Sequence, residues 1–333
     1  MNDKANIIIA DESALFFHLH VKGPEQSGAH PTYSNPLADC ASKAADFETF
    51  NPNHPLYGGK PVSVLVSQPS ARRQSKTLRS RCCPTELPVG SFLKLRDGLY
   101  LASPELVYAR MANFASQVQL AEIGMNLCGR YYIDLNTRKI KDRIEPATTP
   151  ERLQRFLINA PNLKGARKAL RALRWVMCNS GSPMETKMKL QFCNPLWSGG
   201  LGLRFTHMNY NVAAGRLARM TEQNDFCIDM VCLDERKTLR NRGKPSAATK
   251  LKTSMEYDGE DSHTDPGKDN RRRNALRAMG WEVFVIDKSV LYSPEKTIDA
   301  ALQVARHMGV RIQFPKNWNE AFLQLRRDLE LPV

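Results

Sequence analysis

The sequence predicts an α/β protein in two parts, a small α+β domain followed by a larger α/β one. Three features point there. An Asp97-Gly98 hairpin signal runs directly into a Ser103-Pro104 helix start. The apolar run Phe226 to Leu233 has the composition of a strand buried on both faces. A helical pattern that stops at Gly280 feeds a further strand, Trp281 to Ile286. At 333 residues the chain exceeds one ordinary domain of roughly 150 residues and can bury a substantial core. Its 42% hydrophobic and 25% charged residues exclude disorder throughout, a coiled coil and a collagen-like repeat. No apolar run approaches the roughly 18 residues of a membrane span, and Ile7 to Ala10 is the longest near the N-terminus. The expectation is a cytoplasmic chain without signal peptide, anchor or membrane partner.

Taken in order, residues 1–60 are rich in Pro, Asn, His and Ser and predict an irregular segment with at most one short helix, around Glu12 to His18. Residues 61–160 predict the small α+β domain, whose role the letters do not name: a strand at Val62 to Val66, the hairpin Ser91 to Arg96 and Gly98 to Leu101, and a helix capped by Ser103. That helix is expected to end in a turn at Gly124, with a second helical piece to Cys128, and another helix at Pro150 to Asn159. Residues 161–333 predict the larger domain, opening with a helix from Leu163 to Cys178. On that helix Lys164, Arg167, Lys168, Arg171 and Arg174 form one stripe and Ala166, Leu170, Leu173 and Met177 another, so the basic stripe is either a solvated face or a phosphate contact. Helices at Pro294 to Met308 and Asn317 to Leu329 close the chain.

Charge is unevenly spread. Residues 1–150 carry 17 Lys and Arg against 14 Asp and Glu, or +3, whereas residues 151–333 carry 31 against 20, or +11. A field of that sign attracts nucleic acid non-specifically, and it also suits plain solubility. The eight cysteines include no Cys-x-x-Cys pair, so neither a zinc site nor a disulfide frame is expected.

The residues with chemistry lie in the second half. Ser182-Pro183-Met184-Glu185 has the form of a capping box, and a carboxylate in a first helical turn serves equally as a cap or as a catalytic group. Asp229 interrupts the apolar run at 226–233, where an ionised carboxylate costs several kcal/mol, roughly, unless a cation, an arginine or a metal compensates it. A following strand, Lys252 to Asp258, alternates with period two, so Glu256 and Asp258 share a face. If the two strands pair, Asp229, Glu256 and Asp258 converge as an oxygen cage for Mg²⁺ or Mn²⁺; otherwise Asp258-Gly259 is a turn and Glu256 faces solvent.

The twenty residues Glu235 to Ser254 carry seven basic side chains, Arg240, Arg242, Lys244 and Lys252 among them. They form either a basic flap for phosphates or a plain insertion. Asp269, Arg272, Leu276 and Met279 fall on one stripe of the next helix, which aims Arg272 at a phosphate or a carboxylate, whereas Arg273 meets solvent or nucleic-acid backbone. His263 is either a loop residue or a proton-transfer group.

The order helix (Glu185), strand, strand (Asp229), strand (Glu256, Asp258), helix (Asp269, Arg272), strand (Trp281) resembles the PD-(D/E)XK restriction-endonuclease-like superfamily. Glu256-Tyr-Asp-Gly259, a histidine four residues later and Asp269-x-x-Arg272-x-x-x-Leu276-x-x-x-Gly280-Trp281 are similar to the group related to very-short-patch-repair endonucleases, which includes bacterial proteins similar to abortive-infection antitoxins. This likeness covers residues 180–312, and Leu87 to Met111 resembles the N-terminal parts of the same proteins. It implies a restriction-endonuclease-like mixed sheet flanked by helices and metal-dependent hydrolysis of DNA, with Asp229 and Glu256 holding the ion. Asp258 stands where the superfamily's general pattern has lysine, which leaves His263, Lys252 or Arg272 to activate water. Three functions are in play: a Mg²⁺-dependent deoxyribonuclease, a non-catalytic DNA-binding regulator or antitoxin-like protein on the same fold, and a protein-interaction module, which leaves Asp229 and the +11 half unexplained.

Overall fold

The computed structural model describes residues 5–23, 28–221, 223–234, 251–259 and 266–333, and separates into unit 1, residues 1–178, and unit 2, residues 179–333. Both units are mixed α/β. Unit 1 runs β1 (Ile7–Ile9), α1 (Asp11–His20), β2 (His30–Pro31), β3 (Val62–Val66), β4 (Leu78–Cys82), β5 (Phe92–Arg96), β6 (Leu99–Ala102), α2 (Pro104–Met111), α3 (Gln117–Leu127), β7 (Tyr131–Ile133), β8 (Ile140–Asp142), α4 (Pro150–Asn159) and α5 (Ala166–Leu173).

Its main sheet has six strands in the order β2-β5-β6-β1-β3-β4, with β1 parallel to β6 and antiparallel to β3. The N-terminal segment expected to be irregular contributes β1 and β2 to this sheet, and its one expected helix, around Glu12 to His18, is α1. Ile7, Ile8 and Ile9 are all buried inside the sheet, and a strand of three residues is too short to display a period of two. Asp11 follows with φ +51 and no exposed surface, held by Arg110 (Nε to Oδ1, 2.6 Å) and Arg81 (Nη1 to Oδ2, 3.2 Å).

The hairpin expected at Asp97-Gly98 joins β5 to β6, with Gly98 at φ +70, and the Ser103 hydroxyl caps α2 by accepting from the Leu106 amide. α4 spans the expected residues. The helix expected from Leu163 to Cys178 is shorter, α5 spanning Ala166–Leu173, and two further expectations fail. Gly124 does not end a helix but lies inside α3, buried, where an added Cβ would stand 2.7 Å from Val176 Cγ2 and 2.9 Å from Tyr108 Cε2. The unit boundary falls after Cys178 rather than at 160/161, because α5 buries Ala166, Ala169 and Ala172 in the core of unit 1.

Unit 2 runs α6 (Pro183–Cys193), β9 (His207–Ala213), α7 (Ala218–Thr221), β10 (Asp225–Asp234), β11 (Leu251–Asp258), α8 (Pro266–Ala278), β12 (Trp281–Asp287), α9 (Lys288–Tyr292), α10 (Pro294–His307) and α11 (Trp318–Asp328). The sheet order is β12-β11-β10-β9, antiparallel except for the parallel pair β11/β12. Phe226, Ile228, Val231, Trp281 and Val283 of the sheet pack with Ala275 and Leu276 of α8. α8 ends before Gly280, whose φ of +84 is the left-handed C-terminal conformation expected of it. Among the described residues no helix is long and apolar enough to cross a membrane.

Gly124 supplies a test with an inverted sign. Alanine ordinarily stabilises a helix interior over glycine by about 1 kcal/mol. In Gly124→Ala the new methyl overpacks Tyr108 and Val176, and chemical denaturation is expected to read a net loss of about 1–3 kcal/mol.

Candidate active site

Glu185 sits in the first turn of α6. Its backbone amide donates to the Ser182 hydroxyl at 3.1 Å, as a capping serine requires. The reciprocal half of the box is displaced by one residue: Glu185 Oε2 accepts from the Gly181 amide at 2.8 Å, and from Asn209 Nδ2 at 2.6 Å. Glu185 thus fixes the entry to α6 while its carboxylate, 9% exposed as a residue, points to where β9 meets β10.

At that point the β10 strand loses its regularity. Phe226, Ile228, Val231 and Leu233 of β10 belong to the hydrophobic cluster that includes Ala275 and Leu276 of α8. Pairing to β9 runs on both sides of Asn209 and Asp229, from Ile228 with Tyr210 to Met230 with Met208. Pairing to β11 begins only at Met230 with Met255. Asn209 has φ +46, the left-handed region that a strand residue rarely enters. Asp229 fills the opening: its Oδ2 accepts from the Tyr257 amide at 2.7 Å, replacing the missing ladder bond with a side-chain one.

Burial, with the Glu185 and Glu256 carboxylates nearby, pushes the Asp229 carboxyl well above its usual pKa, and the Tyr257 amide and Arg272 oppose that rise. Glu256, on β11, is 7% exposed and bound by Arg272 of α8: Nη1 donates to Oε2 at 2.8 Å, and Nη2 stands 2.8 Å from Oε1 while donating to the Cys227 carbonyl. Two residues on, Asp258 Oδ2 accepts from Arg273 Nη2 at 3.2 Å. Glu256 and Asp258 share a face as expected, and it is the face that α8 covers.

The expected cage of Asp229, Glu256 and Asp258 is not assembled. Among the described residues no three His, Cys, Asp or Glu side chains form a ready metal-binding group. Arg272 takes Glu256 and Arg273 takes Asp258, because a guanidinium on the adjoining helix satisfies a buried carboxylate more completely than two like charges can. Arg273, expected toward solvent or nucleic acid, is thus turned to a carboxylate. The carboxylates that act on Asp229 are instead Glu185 and Glu256. Asp229 is a hard oxygen donor whose charged form the Glu185 and Glu256 carboxylates disfavour, so added positive charge there would relieve repulsion, and the donor chemistry, though not a ready three-carboxylate group, suits a divalent cation.

Lys252 stands apart from this group: its Nζ donates to the Met279 carbonyl at 3.1 Å and lies 5.7 Å from the Trp281 ring centroid. Four residues along an extended strand separate it from Glu256, about 13 Å, so it does not reach the carboxylates to activate water there. Arg171 belongs to unit 1. His263, Arg240, Arg242 and Lys244 lie outside the described residues. Asn209 was not foreseen from the letters. It orients Glu185, donates to the Asn179 carbonyl at 2.7 Å and accepts from Cys227 Sγ at 3.3 Å. The only signal it offered was an Asn, a residue tolerant of left-handed backbone, inside a weak strand.

Two stability tests follow from the charges. The folded chain holds a proton on Asp229 to higher pH than the unfolded chain, whose Asp titrates near about 3.9. The contribution of Asp229 to the stability of unit 2 is therefore fully present below that value and is lost as pH rises through the elevated folded pKa. In EDTA, Asp229→Asn is expected to melt higher than wild type at neutral pH, with the difference vanishing toward pH 4. Arg272→Ala strands Glu256 without its guanidinium and is expected to cost about 2 kcal/mol, less than a fully buried pair because Arg272 is partly exposed; urea titration at pH 7 reads it.

Comparison of the chain with protein-family models, with curated proteins and with solved structures finds no match.

Proposed function

We propose that unit 2 is a restriction-endonuclease-like domain that hydrolyses DNA phosphodiester bonds with Mg²⁺ or Mn²⁺ as cofactor. One observation carries the reading: Asp229 sits where the strand pairing opens, its side chain bonded to the Tyr257 amide, and the carboxylates of Glu185 on α6 and Glu256 on β11 lie near enough to raise its pKa. The element order from α6 through β9, β10, β11 and α8 to β12 supports it, as does the excess of basic residues in the second half of the chain.

On this reading Asp229 and Glu256 hold the ion, with Glu185 beside them. A bound divalent ion supplies charge to the scissile phosphate and lowers the pKa of the attacking water. Tyr257 holds Asp229 by its backbone amide, and Gly181 and Asn209 hold Glu185, so both carboxylates are oriented before substrate arrives. Arg272 and Arg273 neutralise Glu256 and Asp258 in the free protein. A phosphodiester offers both guanidinia a competing anion, and their transfer to it would bring positive charge to the oxygens on which negative charge develops.

Supercoiled plasmid incubated with the protein and Mg²⁺ or Mn²⁺ is expected to be nicked, and EDTA to stop it. Asp229→Asn and Glu256→Gln are each expected to lower the rate at least about a hundredfold without weakening plasmid retention on a filter. Nicking that persists in both variants would overturn the assignment. The second reading, a DNA-binding regulator or antitoxin-like protein that cleaves nothing, is favoured by one feature, the neutralisation of Glu256 and Asp258 by arginines of the same chain. DNA retention by the wild type without nicking in either metal is its signature.

A further inference from the structure

We infer that the outward face of α5, in unit 1, binds the phosphodiester backbone of nucleic acid. Lys164, immediately before the helix, and Arg167, Arg171 and Arg174 are all exposed, spaced by three, four and three residues along one side. The opposite side, Ala166, Ala169 and Ala172, is buried. From residue 152 to residue 184 the chain contains seven Lys and Arg and neither Asp nor Glu. None of the four exposed cations is ion-paired with a described residue.

The arrangement works against the helix that carries it. Arg167 and Arg171 are like charges at a spacing of four, which destabilises a helix rather than supporting it. Lys164, Arg167 and Lys168 crowd the N-terminal end, where the helix dipole favours anions, and no acid occupies the first turn. A face shaped only for solubility mixes both signs and spaces its charges to attract. Four uncompensated cations in a row along about 15 Å of helix meet instead the requirement of a polyanion, since a duplex carries about nine phosphate charges over that length. The side chains contact backbone, so the surface positions nucleic acid without selecting a sequence.

The inference shares with the proposed function only its nucleic-acid partner, and it gives unit 1 the task of holding what unit 2 acts upon. The test uses full-length protein in EDTA and fluorescein-labelled 20-mer DNA, duplex and single-stranded, read by fluorescence anisotropy across a salt series. The variant K164Q/R167Q/R171Q/R174Q is expected to lose at least tenfold in affinity, and the slope of log affinity against log salt to fall by about 3. R167K/R171K/R174K is expected to bind within threefold of wild type, and thermal melts by circular dichroism check that both variants are folded. Binding is read in EDTA, where no metal-dependent cleavage takes place, so failure of the hydrolase reading leaves this surface standing. A folded glutamine variant with unchanged affinity and slope would overturn the inference. So would equal competition by polyglutamate at matched charge, which would make the face a site for acidic protein.

Discussion

Asp229 carries a carboxylate into the middle of an otherwise apolar strand, and the surrounding structure is arranged around the cost of keeping it there. Desolvating one such group costs several kcal/mol, roughly, unless hydrogen bonds and opposite charge compensate. β10 and β11 begin their pairing one position beyond it, which frees the Tyr257 amide for its oxygen. Across the sheet Asn209 turns left-handed, and its amide goes to Glu185. Arg272 offsets part of the charge from α8. A fold maximising stability alone would place an apolar residue at 229 and close both ladders. That it does not is the physical ground for treating this place as a site, since irregular backbone and perturbed carboxyls concentrate where chemistry is done.

The arginines of the chain divide by what satisfies them. Arg110 and Arg81 close on Asp11, and Arg81 also binds Glu12 through Nη2 at 2.7 Å, an internal network that ties α1 to the sheet of unit 1 and to α2. Arg326, fully buried, donates to the Leu291 and Tyr292 carbonyls and so pins α11 to the end of α9. These groups are consumed by structure. Arg272 and Arg273 are held by carboxylates yet remain partly exposed, 23% and 28% by side chain, which leaves them able to exchange one anion for another. Arg167, Arg171 and Arg174 have no described carboxylate partner at all. Position in the fold, not residue type, decides which arginine is a strut and which is a contact.

Much of the secondary structure was legible because its signals are local. Ser103-Pro104 and Ser182-Pro183 cap helices through bonds made within three residues, and Asp97-Gly98 turns a hairpin by the conformational freedom of one glycine. β1 was illegible for the opposite reason: three isoleucines become a central strand only because β3 and β6, distant in the chain, lie on either side. Gly124 reads as a helix breaker until Tyr108 and Val176 close upon it. The spacing of Glu256 and Asp258 foretold their shared face but not that α8 would deliver an arginine to each, since helical period places Arg272 and Arg273 on the helix and says nothing of what the helix lies against.

The letters by themselves determined the helix start at Ser182-Pro183, the strands that carry Asp229, Glu256 and Trp281, the largely buried character of the run at 226–233, the anomaly of an aspartate within it and the surplus of positive charge. All of these follow from composition and periodicity along the chain. Tertiary structure alone decided which carboxylates act on Asp229, Glu185 and Glu256 rather than Asp258, and that Asn209 orients Glu185. Those outcomes turn on strand register and on a break in pairing only one residue wide, where a shift of a single position reverses the side to which every side chain points.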